Sequence, residues 1–474
     1  MSRESAPDII AASIRQIRQK ARVLARSPVT VADLIEDSPV GGLQYRVFVL
    51  AALSLVVDGF DTQAVAYVAP VISKDWSLAT GAFGPVFAAG LIGSALGSIA
   101  LAPWADRFGR KRLLVASAAV VGLLTLLCST AHSLSQLEAL RFVTGVGLGA
   151  ALPNALALIS EYAPERKRTS IVTITFCGLA LGAALGGVVA SLLVPNFGWQ
   201  SVFAAGGTAT LLLVPVLQWK LPESLRFLVL RDPSGLQTLQ TLRRFLGTRS
   251  SEHIEFIAEE QTEQVRGWAP LFRGGRMVAT VTYGCLAFLT LLTLYVLNNW
   301  LPTLIHAMGF DIRQASWSTA GFQLGGILGA IALGLLSDRL GAIRVVVVAY
   351  AAAATIIAAL GAIHGPWLIA LAAFGAGFTI VGAQSCNNAM VAGLYPTAAR
   401  GKALGLNLTI GRLGSIVGPT VTGWLLLRHV PPERVLLWAG VPLAFAALVL
   451  LAATNSIKRL QERERRPQRY QTFG

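Results

Sequence analysis

Asp106-Arg107-Phe108-Gly109-Arg110-Lys111-Arg112 and Ser337-Asp338-Arg339-Leu340-Gly341 decide the reading of this chain, because the second stretch repeats the first 232 residues later. At the same offset Gly93, Gly97 and Arg112 fall on Gly325, Gly329 and Arg344, and Gly182 and Gly186 fall on Gly414 and Gly418. Pro70 falls on Pro302, Pro164 on Pro396 and Arg168 on Arg400. One register shared by turn, packing and charge positions describes two related halves, not the short period of a soluble solenoid.

Working outward from these loops, apolar runs of about 20 residues, enough to cross a hydrocarbon core, recur twelve times. They lie near 46–70, 81–103, 111–131, 136–160, 169–193, 199–219, 278–301, 315–336, 343–363, 366–392, 402–426 and 434–454. The sequence therefore predicts an all-α membrane protein with twelve transmembrane helices in two six-helix, pseudo-symmetric halves. Its expected parts are an amino-terminal segment 1–45, bundles 46–219 and 278–454, a linker 220–277 and a tail 455–474. Two halves around a central site point to transport.

Composition agrees, with 54% hydrophobic and only 13% charged residues against roughly 25% charged in a soluble domain. The net charge of +15 is topological and calls for no nucleic acid. With the amino terminus in the cytosol, of 39 Lys and Arg only Lys74, Arg313, Arg428 and Arg434 fall in outer loops, and Arg141 and Arg412 lie within spans. The rest fall on the cytosolic side, as the positive-inside rule requires. Cys128, Cys177, Cys285 and Cys386 sit inside predicted helices without metal-ligand spacing, so they read as small buried hydrophobes. No signal-peptide core appears in the first forty residues.

Ile10, Ile14, Ile17, Ala21 and Leu24 form one helical stripe opposed by basic residues, which fits either a helix on an anionic membrane surface or a solvated basic tail. Helix-like stretches near 236–248 and 252–266 carry mixed charge within the linker, and the tail after 457 reads as flexible. The linker holds no His-Cys cluster, phosphate-binding glycine loop or nucleophile motif, so no enzyme and no cofactor are expected.

Gly93-x3-Gly97 leading to Asp106-Arg107-x-Gly109-Arg110 resembles the signature loop of the major facilitator superfamily, with a weaker second copy from Gly334 to Gly341. The first copy carries Ala102 where glycine is common. The resemblance implies a cytosolic gate, in which Asp106, Arg107, Arg110, Asp338 and Arg339, with Arg168 and Arg400, hold helix ends together in one conformation and release them in the other. A solvated charge run that only fixes topology is the alternative.

A narrower resemblance, to the aromatic acid:proton symporters of that superfamily, starts at Asp58-Gly59-Phe60-Asp61-Thr62. It continues through Arg141-Phe142-x-Thr144-Gly145, Glu161-Tyr162-x-Pro164-Glu165-Arg166 and Leu221-Pro222-Glu223-Ser224-x-Arg226-Phe227. In the second half it includes Asn299-Trp300-Leu301-Pro302, Gly382-Ala383-Gln384-Ser385, Tyr395-Pro396-Thr397-x2-Arg400 and Gly411-Arg412-x-Gly414. It implies a 4-hydroxybenzoate or protocatechuate class of substrate, symport with protons and a place in the bacterial inner membrane with both termini cytosolic. The expected partners are the aromatic carboxylate, H+ as coupling ion and the bilayer, for a monomer.

The residues support ion coupling on their own account. Asp58 and Asp61 share a helical face about 18 Å into the first span at 1.5 Å per residue. Two carboxylates there are costly unless paired or hydrated, and their repulsion favours a proton on one of them. Either Asp can instead pair with an arginine as a helix brace. Gly59 between them either loosens the helix or packs closely. Asp58 and Asp61 align with Thr290 and Thr293, and Arg412 with Ala180, so the halves have diverged in charge. This divides labour between amino-terminal carboxylates that carry the proton and a carboxy-terminal guanidinium, Arg412, suited to a carboxylate substrate; Arg412 as a brace for the eleventh helix is the alternative. Arg141, Asn154, Asn299, Gln323, Gln384, Asn387 and Asn388, with Asn298, complete a pool of candidate substrate contacts, and Phe83, Phe87, Tyr295 and Trp300 one of ring-stacking aromatics. The rival readings are a carrier of the same fold for another organic acid, a sugar or a drug, and a membrane sensor of aromatic acids.

Overall fold

The computed structural model describes residues 29–30, 40–231, 256–257, 269–395 and 397–470. Among them twelve helices are long and apolar enough to cross a membrane. In the first half these are α1 (Gly42–Asp75), α2 (Gly84–Ala100), α3 (Arg110–Cys128), α4 (Leu134–Tyr162), α5 (Glu165–Phe197) and α6 (Gln200–Lys220). The second half holds α7 (Met277–Ala307), α8 (Ile312–Leu340), α9 (Ala342–Leu360), α10 (Pro366–Leu394), α11 (Thr397–Leu427) and α12 (Pro432–Tyr470). Each overlaps one of the twelve expected spans, and half of them run a turn or more beyond it at one end.

Helix limits follow local chemistry. Ser133 caps α4 by accepting from the Gln136 backbone N–H at 3.3 Å, and Asp311 opens α8 with a capping box completed by Gln314. The signature loops turn at Gly109 (φ +99°) and Gly341 (φ +89°), where a side chain would be strained. The carboxy-terminal end corrects an expectation: α12 continues to Tyr470 instead of giving way to a flexible tail after 457. Its run of Lys, Arg, Glu and Gln is made of strong helix formers. In the linker, Phe256 and Ile257 pair as a two-residue parallel strand with Val29 and Thr30, not as helix, since β-branched and aromatic residues favour extended backbone. The rest of the expected linker helices and the 10–24 stripe lie outside the described residues.

The helices pack in matching pairs: α1 on α5, α2 on α4 and α3 on α6, then α7 on α11, α8 on α10 and α9 on α12. Glycines set this register. A Cβ on Gly93 or Gly97 would strike the backbone of Phe142 or Val146, and a Cβ on Gly325 or Gly329 that of Phe374 or Phe378, which are the repeat equivalents. Gly182 meets Val56 as Gly414 meets Phe288, again one register apart. Backbones brought this close gain dispersion contacts in a solvent where burying apolar side chains yields little. Large apolar side chains such as Ile174, Trp219 and Trp367 stand exposed on the outside, as a lipid-facing surface requires, and the protein is a multi-pass membrane protein.

The halves meet where α1 faces α7, α2 faces α11 and α5 faces α8. At the far face, defined by the end of α1 and the start of α2, they are shut. Gly81 and Gly84 lie against Gly423, a Cβ on Gly187 would be 2.8 Å from the Ser316 carbonyl, and Phe87 meets Trp300 edge-on at 5.1 Å. At the opposite, basic-loop face, nothing among the described residues lies within 4 Å of a Cβ on Gly401 or Gly405 of α11.

Candidate functional site: a cavity between the halves

A cavity of about 330 Å³ lies at this divide, lined by α1, α2, α4, α5, α7, α8, α10 and α11. Its charged residues are Asp58, Arg141 and Arg412; most of the remaining wall is apolar, with Phe87, Phe176 and Tyr295 among it.

The two aspartates of α1, one turn apart, have separate fates. Asp61, 1% exposed, turns toward α3 and α4, where Arg141 grips it bidentately. Arg141 Nη1 donates to Oδ1 at 3.0 Å and Nη2 to Oδ2 at 2.9 Å, with a further bond from Nη2 to the Asp61 carbonyl at 3.2 Å. The Thr125 hydroxyl donates to the same carboxylate. Its acceptors are well used and its charge is matched. Asp58, 3% exposed, lines the cavity, and its Oδ2 meets no hydrogen-bond partner among the described residues. Gly59 holds it there by close packing, not by loosening the helix: a Cβ at Gly59 would collide with the Leu179 carbonyl of α5. Of the pair, the brace is Asp61, and Arg141, placed among the substrate contacts from sequence, has its guanidinium committed to it.

Arg412 reaches from α11 across the divide to α2. Its Nη1 donates to Ser98 Oγ at 2.7 Å and approaches the Ser94 carbonyl at 3.5 Å. No carboxylate pairs with it among the described residues. Asn299 and Gln323 line the same cavity, with Asn299 donating to the Tyr295 carbonyl at 3.0 Å. Sequence reasoning passed over Gln63, Ser94 and Ser98. Gln63 donates to the Asn298 carbonyl of α7 and accepts from Gln323 Nε2 of α8 at 3.3 Å. An amide in an apolar run, five residues past Asp58, was the available signal.

Other candidates lie apart. Asn154 donates to its own helix at Ala150 and lines a separate, smaller cavity with Ser98 and Arg110. Gln384, Asn388 and Asn407 form an amide chain between α10 and α11 at 3.5 and 3.2 Å, while Asn387 is fully buried with its amide unpartnered. None of these lines the main cavity. Phe83 and Trp300 belong to the packed core, Trp300 donating to the Pro419 carbonyl at 2.9 Å, whereas Phe87 and Tyr295 reach the cavity.

At the basic loops, Arg110 pairs with Glu161 of α4 at 2.5 Å, and the Ser224 hydroxyl donates to the same carboxylate. Glu223 accepts from the backbone N–H of Lys111 at 2.8 Å and of Ser224 at 3.0 Å. Arg107 lies over the Phe108 ring, and Arg168 pairs with its neighbour Glu165 at 3.6 Å. Asp338, Arg339 and Arg400 are exposed and in no ion pair among the described residues, so the expected latch at Asp338 is not made in this conformation. The side chain of Asp106 lies outside the described ones.

Comparison with known proteins agrees with this architecture. The family model of the major facilitator superfamily matches residues 51–284 and 283–472. The fold aligns with a bacterial homologue of the human lysosomal transporter Spinster in an inward-facing, unoccupied conformation (TM-score 0.69, 16% identity, 88% of this chain and 98% of that one). It also aligns with the D-xylose–proton symporter (TM-score 0.64, 18% identity, 86% and 97%). The chain belongs to the major facilitator superfamily and is a membrane transporter, not an enzyme. More narrowly, it is 38% identical to the gallate transporter of Pseudomonas putida over 90% of this chain and 95% of that protein. It is 38% identical to the 4-hydroxybenzoate transporter PcaK of Pseudomonas aeruginosa over 89% and 95%. Within the superfamily it falls among the aromatic acid permeases.

Proposed function

We propose that the protein is a proton-coupled carrier that imports an aromatic carboxylate of the hydroxybenzoate, protocatechuate or gallate class by alternating access. It works in the bacterial inner membrane with both termini in the cytosol. The observation that carries this reading is the presence on one cavity between the halves of a carboxyl oxygen without a partner, on Asp58, and a guanidinium without a carboxylate, on Arg412, among the described residues. Asp61 is neutralised by Arg141, which leaves Asp58 as the group free to take and give a proton. Arg412 answers the substrate carboxylate. The relatives named above support the substrate class, and the aromatic wall suits a flat ring.

With the basic loops in the cytosol, the shut far face makes this the inward-facing state. Protonation of Asp58 and binding of the anion at Arg412 in the outward-facing state leave little uncompensated charge to cross as the halves rock. Proton release to the cytosol then resets the carrier. A potential of 100 mV is worth about 2.3 kcal/mol per net charge moved, so an anion gains from it only with more than one proton.

Uptake of labelled 4-hydroxybenzoate or gallate into proteoliposomes under an imposed pH gradient tests the reading. Accumulation is expected to collapse with a protonophore. Asp58→Asn is expected to lose accumulation while retaining substrate counterflow; accumulation at the wild-type level in that variant removes Asp58 from the coupling role.

A further inference from the structure

Arg412 and Asp58 account for a carboxylate and a proton, but not for the amide pair in the same cavity wall. Gln63 and Gln323, 3% and 7% exposed, are joined at 3.3 Å and line the cavity from opposite halves. Gln63 uses its amide N–H on the Asn298 carbonyl and its oxygen on Gln323. The carboxamide oxygen of Gln323 has no bond within the protein among the described residues and is not among the atoms shut away in the interior, so it is an acceptor open to the cavity, where a ligand hydroxyl can meet it. Around them the cavity wall mixes apolar Val65, Phe87 and Ile327 with the amides of Asn298 and Asn299.

Depth separates this amide pair from the cation. Counted at 1.5 Å per residue from the far-face ends of their helices, Gln323 lies about 16 Å and Arg412 about 22 Å deep. Asp58, five residues before Gln63, lies roughly 7 Å nearer the basic-loop face on the same scale. A ring whose carboxylate meets Arg412 therefore has the amides on its far-face side.

We propose that Gln63 and Gln323 form the subsite that reads ring hydroxyl groups, making hydroxylated benzoates the preferred cargo over benzoate itself. This rests on the transport reading above and adds to it a chemical basis for choosing among aromatic acids. The phenolic O–H donates to Gln323 Oε1, extending by one link the chain that already runs from Asn298 through Gln63 to Gln323. A bare ring edge supplies no such donor and takes the place of whatever else would meet the amide oxygen. Sites built to hydrogen-bond a hydroxyl discriminate strongly against the analogue lacking it, because the unmet polar group stays buried.

The test is a competition series in proteoliposomes with benzoate, 3-hydroxybenzoate, 4-hydroxybenzoate and gallate on wild type, Gln323→Met and Gln63→Met, read as kcat/KM for each acid. Methionine keeps the volume and removes the acceptor. Wild type is expected to favour 4-hydroxybenzoate over benzoate by about tenfold or more. Gln323→Met is expected to bring that ratio near one, because the hydroxylated acids lose far more than benzoate does. Gln63→Met is expected to shift the ratio the same way and to a smaller extent, since Gln63 orients its partner. An equal fall for all four acids assigns the pair a purely structural role and overturns the proposal, as does an unchanged ratio. Wild-type protein that takes up none of them under a pH gradient overturns the transport reading itself, a result distinct from either.

Discussion

Helices α1 and α7 occupy the same place in the two halves, yet they settle their buried polar groups in opposite ways. In α7 the repeat positions are Thr290 and Thr293. Thr290 bonds the Leu286 carbonyl and meets the Tyr350 hydroxyl at 2.7 Å, and Thr293 donates to the Ala439 carbonyl at 3.1 Å. A hydroxyl is satisfied by whatever backbone is near. In α1 the same positions are Asp58 and Asp61, and a carboxylate needs a cation or a proton. The first half supplies Arg141 and Thr125 for Asp61; their equivalents in the second half are Ala373 and Ile357. For Asp58 Oδ2 no partner is supplied among the described residues. The repeat thus keeps backbone register and glycine contacts, while the charge chemistry is confined to one half and answered from the other only by Arg412.

The basic loops show a second asymmetry. The first copy is tied down by Arg110, Glu161, Glu223 and Ser224, where the second has Ala342, Gly393 and Asn455 at the equivalents of Arg110, Glu161 and Glu223. One loop is fastened within its own half, whereas Asp338 and Arg339 of the other make no ion pair among the described residues.

The comparison breaks most severely at Arg141. Arg141→Ala leaves Asp61 buried without its counter-ion, a loss of about 3–5 kcal/mol, seen as a large drop in thermal stability in detergent. Adding Asp61→Thr, the residue type of α7, is expected to restore most of it; failure to do so denies that the halves differ merely by exchange of a charged for a neutral solution. A smaller effect is expected from glycine packing. Gly97→Ala puts a methyl into the Val146 carbonyl and is expected to cost about 1–3 kcal/mol through overpacking. Gly334→Ala, with nothing within 4 Å, is the matched control and is expected to change stability little; equal melting shifts for the two contradict the packing role. The smallest change is expected at Glu165→Gln, which removes the exposed pair with Arg168 and is worth under about 1 kcal/mol, with added salt masking even that.

Much of this was legible beforehand. Twelve apolar runs, the offset of 232 and the glycine pairs specify spans and register, because membrane crossing and close helix approach depend on residue type along the chain. Sequence also marked Asp58, Asp61, Arg141 and Arg412 as too costly to be incidental. It did not say which aspartate takes the arginine, since residues three apart on a helix differ by only about 60° in direction. The separate placement of Asn154, Gln384, Asn387 and Asn388 from the main cavity was equally hidden, because it depends on how whole helices are rotated and tilted. Gln63 went unmarked because an amide, unlike a charge, is cheap enough in an apolar run to draw no attention until its partners are seen.

The chain's own order of residues thus determined a duplicated twelve-helix membrane protein with charge in few places, for hydrophobic length and glycine spacing act locally. Which of those charges is matched, which is left facing a cavity, and which end of the molecule is shut were decided only by the tertiary structure. Those outcomes depend on partners 80 to more than 300 residues away, and the strength of a buried charge's environment is set by what stands beside it in space.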